Sequence, residues 1–337
     1  MQISGHPLHT RSMTMKVSLA ADGRWLARGQ VIDLRKTGFA PLSTDLQPAG
    51  IIHHMCLDLH IDPASAMIEG LSATQPVVAI EPSARSCGES CRDPVAALDA
   101  MVGVRLDDEF RGRLQAVFGG PRGCSHLLSL FHFMARALVR GLAAEARFQG
   151  GERAGLRAVD DTVFQSSLYI DGFHTAERNF QLSLQVYDFL VRPEVESASA
   201  LDRFQYEAGA RLATVVQTAD MSLADMQLGT RERTLDSLGE LDWRERSDWA
   251  EALAGAPIMG GFGARASMAL RAEPEAELML DGLLQLAPGF IQVIAAVADQ
   301  WIARTRSGEN ADGDRPLGAA VDSCYIWREG GSVQGRS

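Results

Sequence analysis

Two hydrophobic periods run along this chain. Over residues 25–34 and 51–61 apolar and polar side chains alternate with a period of two, which predicts half-buried β-strands. From residue 124 to 142 the positions Leu127, Leu128, Phe131, Phe133, Met134 and Leu138 recur with helical spacing, which predicts a long amphipathic helix. Residues 67–77 add another alternating segment, and 94–101 an Ala-rich amphipathic stretch. The order then returns: alternating segments over 204–218 and 221–230, an amphipathic stretch over 248–254 and a long apolar helix over 275–305. Asp22 and Gly23 punctuate a strand pair that ends Gln30, Val31, Ile32, Asp33. Asp171 and Gly172 punctuate a similar pair that ends Gln185, Val186, Tyr187, Asp188.

Strands grouped ahead of helices predict an α+β fold. The repeated order predicts two similar units, each an antiparallel sheet with one long helix on a face, paired as an internal pseudo-dimer. The first unit is expected over residues 1–145 and the second over 160–306. A terminal strand within 316–330, built on the alternating polar and aromatic residues Asp322, Ser323, Cys324, Tyr325, Ile326 and Trp327, is expected to return to the first unit. Gly and charged residues gather over 145–160 and 307–315, which marks these as linkers, and the tail from Gly330 is expected to fray.

Charge narrows the function. The 337 residues carry a formal net charge of −11 and no basic run, which disfavours nucleic acid and anionic membrane surfaces as partners. The apolar run over 283–302 carries Gln285, Gln292, Asp299 and Gln300, so it reads as a buried helix and not a membrane span. Five cysteines, an odd number spread over a long chain, point to a reducing cytoplasm. Cys87 and Cys91 form one closely spaced pair with no second pair to complete a four-thiolate zinc site.

The densest cluster of reactive side chains, Arg122, Gly123, Cys124, Ser125 and His126, stands where the long helix begins. A helix start offers free backbone N–H groups that favour developing negative charge. Helical phase turns Cys124 to the same side as Leu127, Phe131 and Leu138, toward the core, which leaves His126 as the stronger candidate. On the strand over 51–62, His53 shares a face with Ile51, Met55, Leu57, Leu59 and Ile61, while His54, Cys56, Asp58, His60 and Asp62 lie opposite. Residues two apart on a strand sit about 7 Å apart. The second face therefore reads as a solvated polar surface before a metal site. An imidazole at position 53, under the helix, would be held neutral by burial and available as a base.

These residues together resemble the bacterial domain of unknown function 2889 family. The resemblance runs through His9, Thr10, Arg11; Asp22, Gly23, Trp25; Asp33, Leu34, Lys36; Gly50, Ile52, His53, Met55; Cys87; Gly123, Cys124, His126, Leu127; and Asp322, Cys324, Arg328, Gly330. The family usually has Thr at the place of Ser125, Asp at that of His54 and His at that of Tyr325. Its members are also shorter, so the resemblance implies that the middle of this chain is an inserted, degenerate second copy. That copy has Glu275, Ala276, Glu277 and Leu278 around the equivalent helix start, without the cysteine and histidine. The family carries no assigned reaction.

No phosphate-binding Gly-rich turn after a strand, no Walker motif and no Gly-x-Ser-x-Gly elbow is present. The reading that results is a cofactor-independent lyase with no metal, acting on a small molecule by acid-base chemistry, as in retro-aldol or formaldehyde-releasing cleavage of an aromatic catabolite. The expected catalytic set is His53, His126, Lys36, Asp33 and Tyr325, with Arg11, Trp25, Arg122, Cys124 and Trp327 binding substrate. The alternatives are a metal-assisted hydrolase or lyase using His54, His60 or His126, and a non-catalytic ligand-binding or assembly module. A homo-oligomer is compatible with each.

Overall fold

The computed structural model describes residues 5–42, 45–149, 157–193, 203–234, 237, 242–300 and 320–333. The first half of the chain gives β1 (His6–Leu19), β2 (Trp25–Arg35), a small hairpin β3 (Ala40–Leu42) and β4 (Asp45–Gln47), then β5 (Gly50–Asp62) and β6 (Met67–Val77). Two helices follow, α1 (Phe110–Phe118) and α2 (Ser125–Gln149). The second half gives β7 (Thr162–His174), β8 (Phe180–Val191), β9 (Phe204–Val216), β10 (Leu223–Thr234) and a short β11 (Arg244–Glu245). It closes with α3 (Ser247–Leu253), α4 (Phe262–Leu270) and α5 (Glu277–Ala295).

The fold is mixed, with one large antiparallel sheet and several helices. Strands from both halves join in a nine-stranded sheet of order β11-β10-β9-β8-β7-β1-β2-β5-β6, so there is one sheet where two were expected. The seam is the antiparallel pairing of β1 with β7, from His6 opposite His174 to Ser18 opposite Thr162. Alternation decides which face is dry: Met13, Met15 and Val17 of β1, Met55, Leu57 and Leu59 of β5, and Leu182, Leu184 and Val186 of β8 are all buried. α2 packs on β2, β5, β7 and β8, and α5 on β1, β2, β7, β8 and β9, so each long helix touches strands from both halves. Both helices are long and apolar enough to cross a membrane by length and composition, yet half or more of each apolar window is buried within the fold.

Three sequence expectations need correction. Asp171 and Gly172 do not form a turn but lie inside β7, and the β7–β8 connection falls at residues 175–179. Gly172 is there for packing: a Cβ would stand 2.2 Å from Val293 Cγ2 of α5, so only glycine lets the helix approach. Ile51 is exposed, whereas Ile52 is buried beside His53, because the β2–β5 register shifts between Asp33 and Leu34. Residues 321–333 form successive turns instead of a strand. Asp322 accepts the positive φ of 62° that begins this fold-back, and its N–H donates to the Trp327 carbonyl at 2.9 Å. The segment does reach the first half, since the Tyr325 N–H donates to the Gly123 carbonyl at 2.8 Å and Arg328 pairs with Glu89. The linker expected over 307–315 lies outside the described residues.

Candidate active site around Asp33

Asp33 is near the end of β2, on the face that the helices cover, and is fully buried. Two irregularities at the same end of the sheet bring histidines to it. Between Pro7 and His9 the β1–β7 register skips Leu8, and between Asp33 and Leu34 the β2–β5 register skips Ile52. Each β-bulge places two consecutive residues on the inner face, Leu8 with His9 and Ile52 with His53, all buried. Ordinary alternation then sets Arg11 two residues beyond His9, pointing the same way and 1% exposed. His126 comes from above, in the first turn of α2, and α5 supplies Gln292.

The carboxylate divides these neighbours between its oxygens. His9 Nε2 hydrogen-bonds Oδ1 at 3.2 Å, and Arg11 Nη1 lies 3.6 Å from the same oxygen. On the other side His53 Nδ1 and His126 Nε2 lie 3.3 and 3.4 Å from Oδ2. The His53 and His126 rings face each other with centroids 3.7 Å apart and a tilt of 30°. The Gln292 amide nitrogen is 3.3 Å from His126 Nε2. Several buried atoms here have no hydrogen-bond partner: Asp33 Oδ2, His53 Nδ1, His9 Nδ1, and Arg11 Nε and Nη2.

Burial opposes the charge on Asp33, but Arg11 and the imidazoles of His53, His9 and His126 outweigh it and hold the carboxyl well below its usual range. Burial pushes the His126 imidazole well below its ordinary pKa, and nearby His53 and Arg11 act in the same direction, so His126 is neutral at pH 7. Burial also lowers His9, against the pull of Asp33. Asp33, His53 and His126 each offer one ligand atom within 4.8 Å of the others, and among the described residues they are the one His/Cys/Asp/Glu group so arranged. The centre can therefore move a proton, stabilise an anion on the free Arg11 donors, or hold a metal ion.

Of the residues singled out from sequence, the structure brings together Asp33, His53, His126 and Arg11. Lys36 is on the opposite face of the sheet, where its ammonium pairs with Asp171 at 2.9 Å. Trp25 is buried at the far end of β2, opposite Ile61. Arg122 donates to the Gln115 carbonyl at 2.9 Å, away from the carboxylate. Cys124 is buried with its thiol 3.6 Å from Met55 Sδ, and burial pushes its pKa up to about 12, which removes it as a nucleophile. Tyr325 carries the Arg328 guanidinium over its ring, and Trp327 is partly buried against the core in the same terminal turns. His54 and His60 are half-buried on the uncovered face, His54 beside Cys56 at 3.6 Å. Sequence reasoning did not place His9 or Gln292 at the site. The signal for Gln292 was its polarity within an apolar helix.

Every side chain that converges on Asp33, apart from Gln292, falls within one segment of sequence. Residues 9–140 match the DUF2889 family of proteins of unknown function. The DUF2889 match begins at His9 itself and ends on α2, so it takes in β1 to β6, α1 and most of α2. The remainder of the chain is an extra region beyond the family match. No curated protein and no solved structure matches the chain.

The extra region has its own buried carboxylates beside α2. Asp188 of β8 accepts from Arg140 Nε at 2.6 Å, and Asp281 of α5 pairs with both Arg136 and Arg140. Glu207 of β9 is likewise buried and paired with Arg231 at 2.8 Å and Arg233 at 2.5 Å. α2 also carries His132, whose pKa is lowered to about 4 by burial and by the charges of Arg111 and Arg136. An unfolded imidazole takes up its proton near 6.5, so stability present above that pH falls as the pH drops from about 6.5 toward 4. Thermal melts of His132→Gln over this window are expected to show a shallower decline than wild type.

Proposed function

We propose that the Asp33 centre is the active site of an enzyme that cleaves a small molecule by proton transfer, a lyase of the retro-aldol or formaldehyde-releasing kind acting on an aromatic catabolite. The observation that carries this reading is the convergence of His9, Arg11, His53 and His126 on one buried carboxylate. Such a cleavage needs a base for a hydroxyl proton and donors for the negative charge that develops as the carbon–carbon bond breaks. His126, neutral and with 14% of its side chain exposed, is the member a substrate reaches, and it serves as the base. The buried Arg11 guanidinium, with Nε and Nη2 unpartnered, supplies the positive charge that favours the anion. Asp33 fixes the imidazoles and balances the charge of Arg11. In the step itself the substrate hydroxyl gives its proton to His126 and the carbon–carbon bond breaks. The new carbonyl leaves as formaldehyde or a larger aldehyde, and the electron pair stays on the conjugated carbon until a proton returns.

The reading extends to the architecture. From the β1–β7 seam the order β1-β2-β5-β6 runs one way and β7-β8-β9-β10 the other, and each group precedes short helical segments and one long helix. This supports an internal duplication that forms a pseudo-dimer. Asp33 and Asp188 then occupy corresponding places, with imidazoles around the first and Arg140 locked on the second. The second copy has become a frame that lends Gln292 to the first.

The experiment is an aldehyde-release assay across hydroxymethyl- and β-hydroxy-substituted aromatic compounds. Wild type is expected to turn over at least one class, and His126→Gln is expected to lower kcat about a hundredfold or more in protein that still unfolds cooperatively. Binding without turnover across the panel would instead favour a ligand-binding module.

A further inference from the structure

We infer that Asp33 Oδ2, His53 Nδ1 and His126 Nε2 form a binding site for one divalent transition metal ion of the zinc or iron(II) type. The separations from the carboxylate to each imidazole are those of ligands around a common centre. An ion about 2.1 Å from two ligands at a tetrahedral angle holds them roughly 3.4 Å apart. Here Oδ2 lies 3.3 Å from His53 Nδ1 and 3.4 Å from His126 Nε2. Two imidazoles and one carboxylate, drawn from three different elements, are the donor set that zinc and non-haem iron(II) sites use, with further positions left open for water or substrate.

A second observation, the angular geometry of the contact, points to an occupant. Asp33 Oδ2 and His53 Nδ1 are buried and stand 3.3 Å apart as an ion-pair contact, but not in the geometry of a well-formed hydrogen bond. Unsatisfied buried polar atoms are costly, and two that face each other at this distance are both satisfied by one cation between them. The carboxylate is already prepared for this. His9 hydrogen-bonds Oδ1 at 3.2 Å and Arg11 approaches the same oxygen, which fixes the plane of the carboxylate and leaves Oδ2 for the ion. Gln292, 3.3 Å from His126 Nε2, adds an amide that can turn toward a bound water. Capture of the ion requires the stacked rings of His53 and His126 to fan apart from their 3.7 Å contact.

The consequence for catalysis, though not the site itself, rests on the lyase reading above. With the ion in place the imidazole lone pairs are engaged, and the base becomes a water or hydroxide on the ion. The ion also takes over the developing oxyanion from Arg11. The bonds made and broken in the substrate stay the same.

The test is the metal content of the full-length protein after purification and after incubation with Zn2+, Co2+, Fe2+ or Mn2+ followed by desalting. The site predicts about one ion per chain, a higher melting midpoint with the ion, and visible Co2+ absorption bands from a nitrogen and oxygen ligand set. His53→Gln and His126→Gln are each expected to weaken binding a hundredfold or more, His9→Gln about tenfold, and His132→Gln not at all. Because a ligand variant can fail to fold, the Co2+ spectrum of wild type stands as a separate readout. Wild type that binds none of the four ions, or ligand variants that bind as wild type does, would overturn the site. Stoichiometric metal with no aldehyde release sinks the lyase reading and leaves the site standing. Aldehyde release that survives complete chelation overturns the ion's part in catalysis and leaves His126 as the base of the lyase reading.

Discussion

Asp33→Ala is expected to destabilise the protein by about 3–5 kcal/mol, read as a thermal midpoint lower by roughly 5–10 °C. The side chain removed is small, and the effect comes from what remains. Arg11 is 1% exposed and already has two nitrogens without partners. Without Asp33 its charge has no counter-ion at hand, and removing one member of a buried pair leaves the desolvated charge of the other. His9 loses its hydrogen bond in the same substitution. The contrast is with a pair in solvent: Asp22→Ala removes the partner of Arg24 at 2.5 Å on the surface, and should leave the midpoint nearly unchanged. Pairing the change with Arg11→Met should return part of the loss, because an apolar replacement of both partners removes the orphaned charge. Chemical denaturation of the two single variants and the double variant measures this coupling directly.

The second large effect is at the other buried carboxylates. Arg140→Met is expected to cost about 3–5 kcal/mol, again from the partners left behind. Arg140 bridges Asp188 and Asp281, which are 2% and 3% exposed, and it ties α2 to a strand and a helix of the extra region at once. Arg136 still reaches Asp281, so the greater burden falls on Asp188. Adding Asp188→Leu to Arg140→Met should recover part of the stability. A loss confined to the extra region, seen as faster amide exchange in β8 and α5 than in β2 and β5, would show that Arg140 joins the two halves.

Much of the fold was legible because each element carries its own period. The alternation over 51–61 gives β5 close to its observed limits, and the helical spacing from residue 124 gives the start of α2, which runs on to Gln149, past the expected end at 142. The site was legible in part. His53 follows from alternation, and His126 from the helix start. Asp33 and Lys36 belong to one expected catalytic set, although three residues along a strand turn them to opposite faces, and Lys36 accordingly pairs with Asp171. The bulges at Leu8 and Ile52 were not legible, because a bulge is a property of two strands in register and no single strand encodes it. His9 was therefore present in the resemblance but absent from the expected site. Asp171 and Gly172 misled for a related reason: the same dipeptide that makes a turn also suits a strand over which a helix packs closely.

The central claim is that chemistry resides at Asp33 and that Asp188, buried on β8, holds structure alone. Aldehyde release by Asp33→Asn and by Asp188→Asn tests it most directly, since both changes keep the shape of the side chain and differ only in place. Both variants should be less stable than wild type, since each neutralises the counter-ion of a buried arginine; Asp33→Asn should lose turnover by about a hundredfold or more while folded, and Asp188→Asn should keep the wild-type kcat. Turnover that survives in Asp33→Asn and disappears in a folded Asp188→Asn would contradict the account.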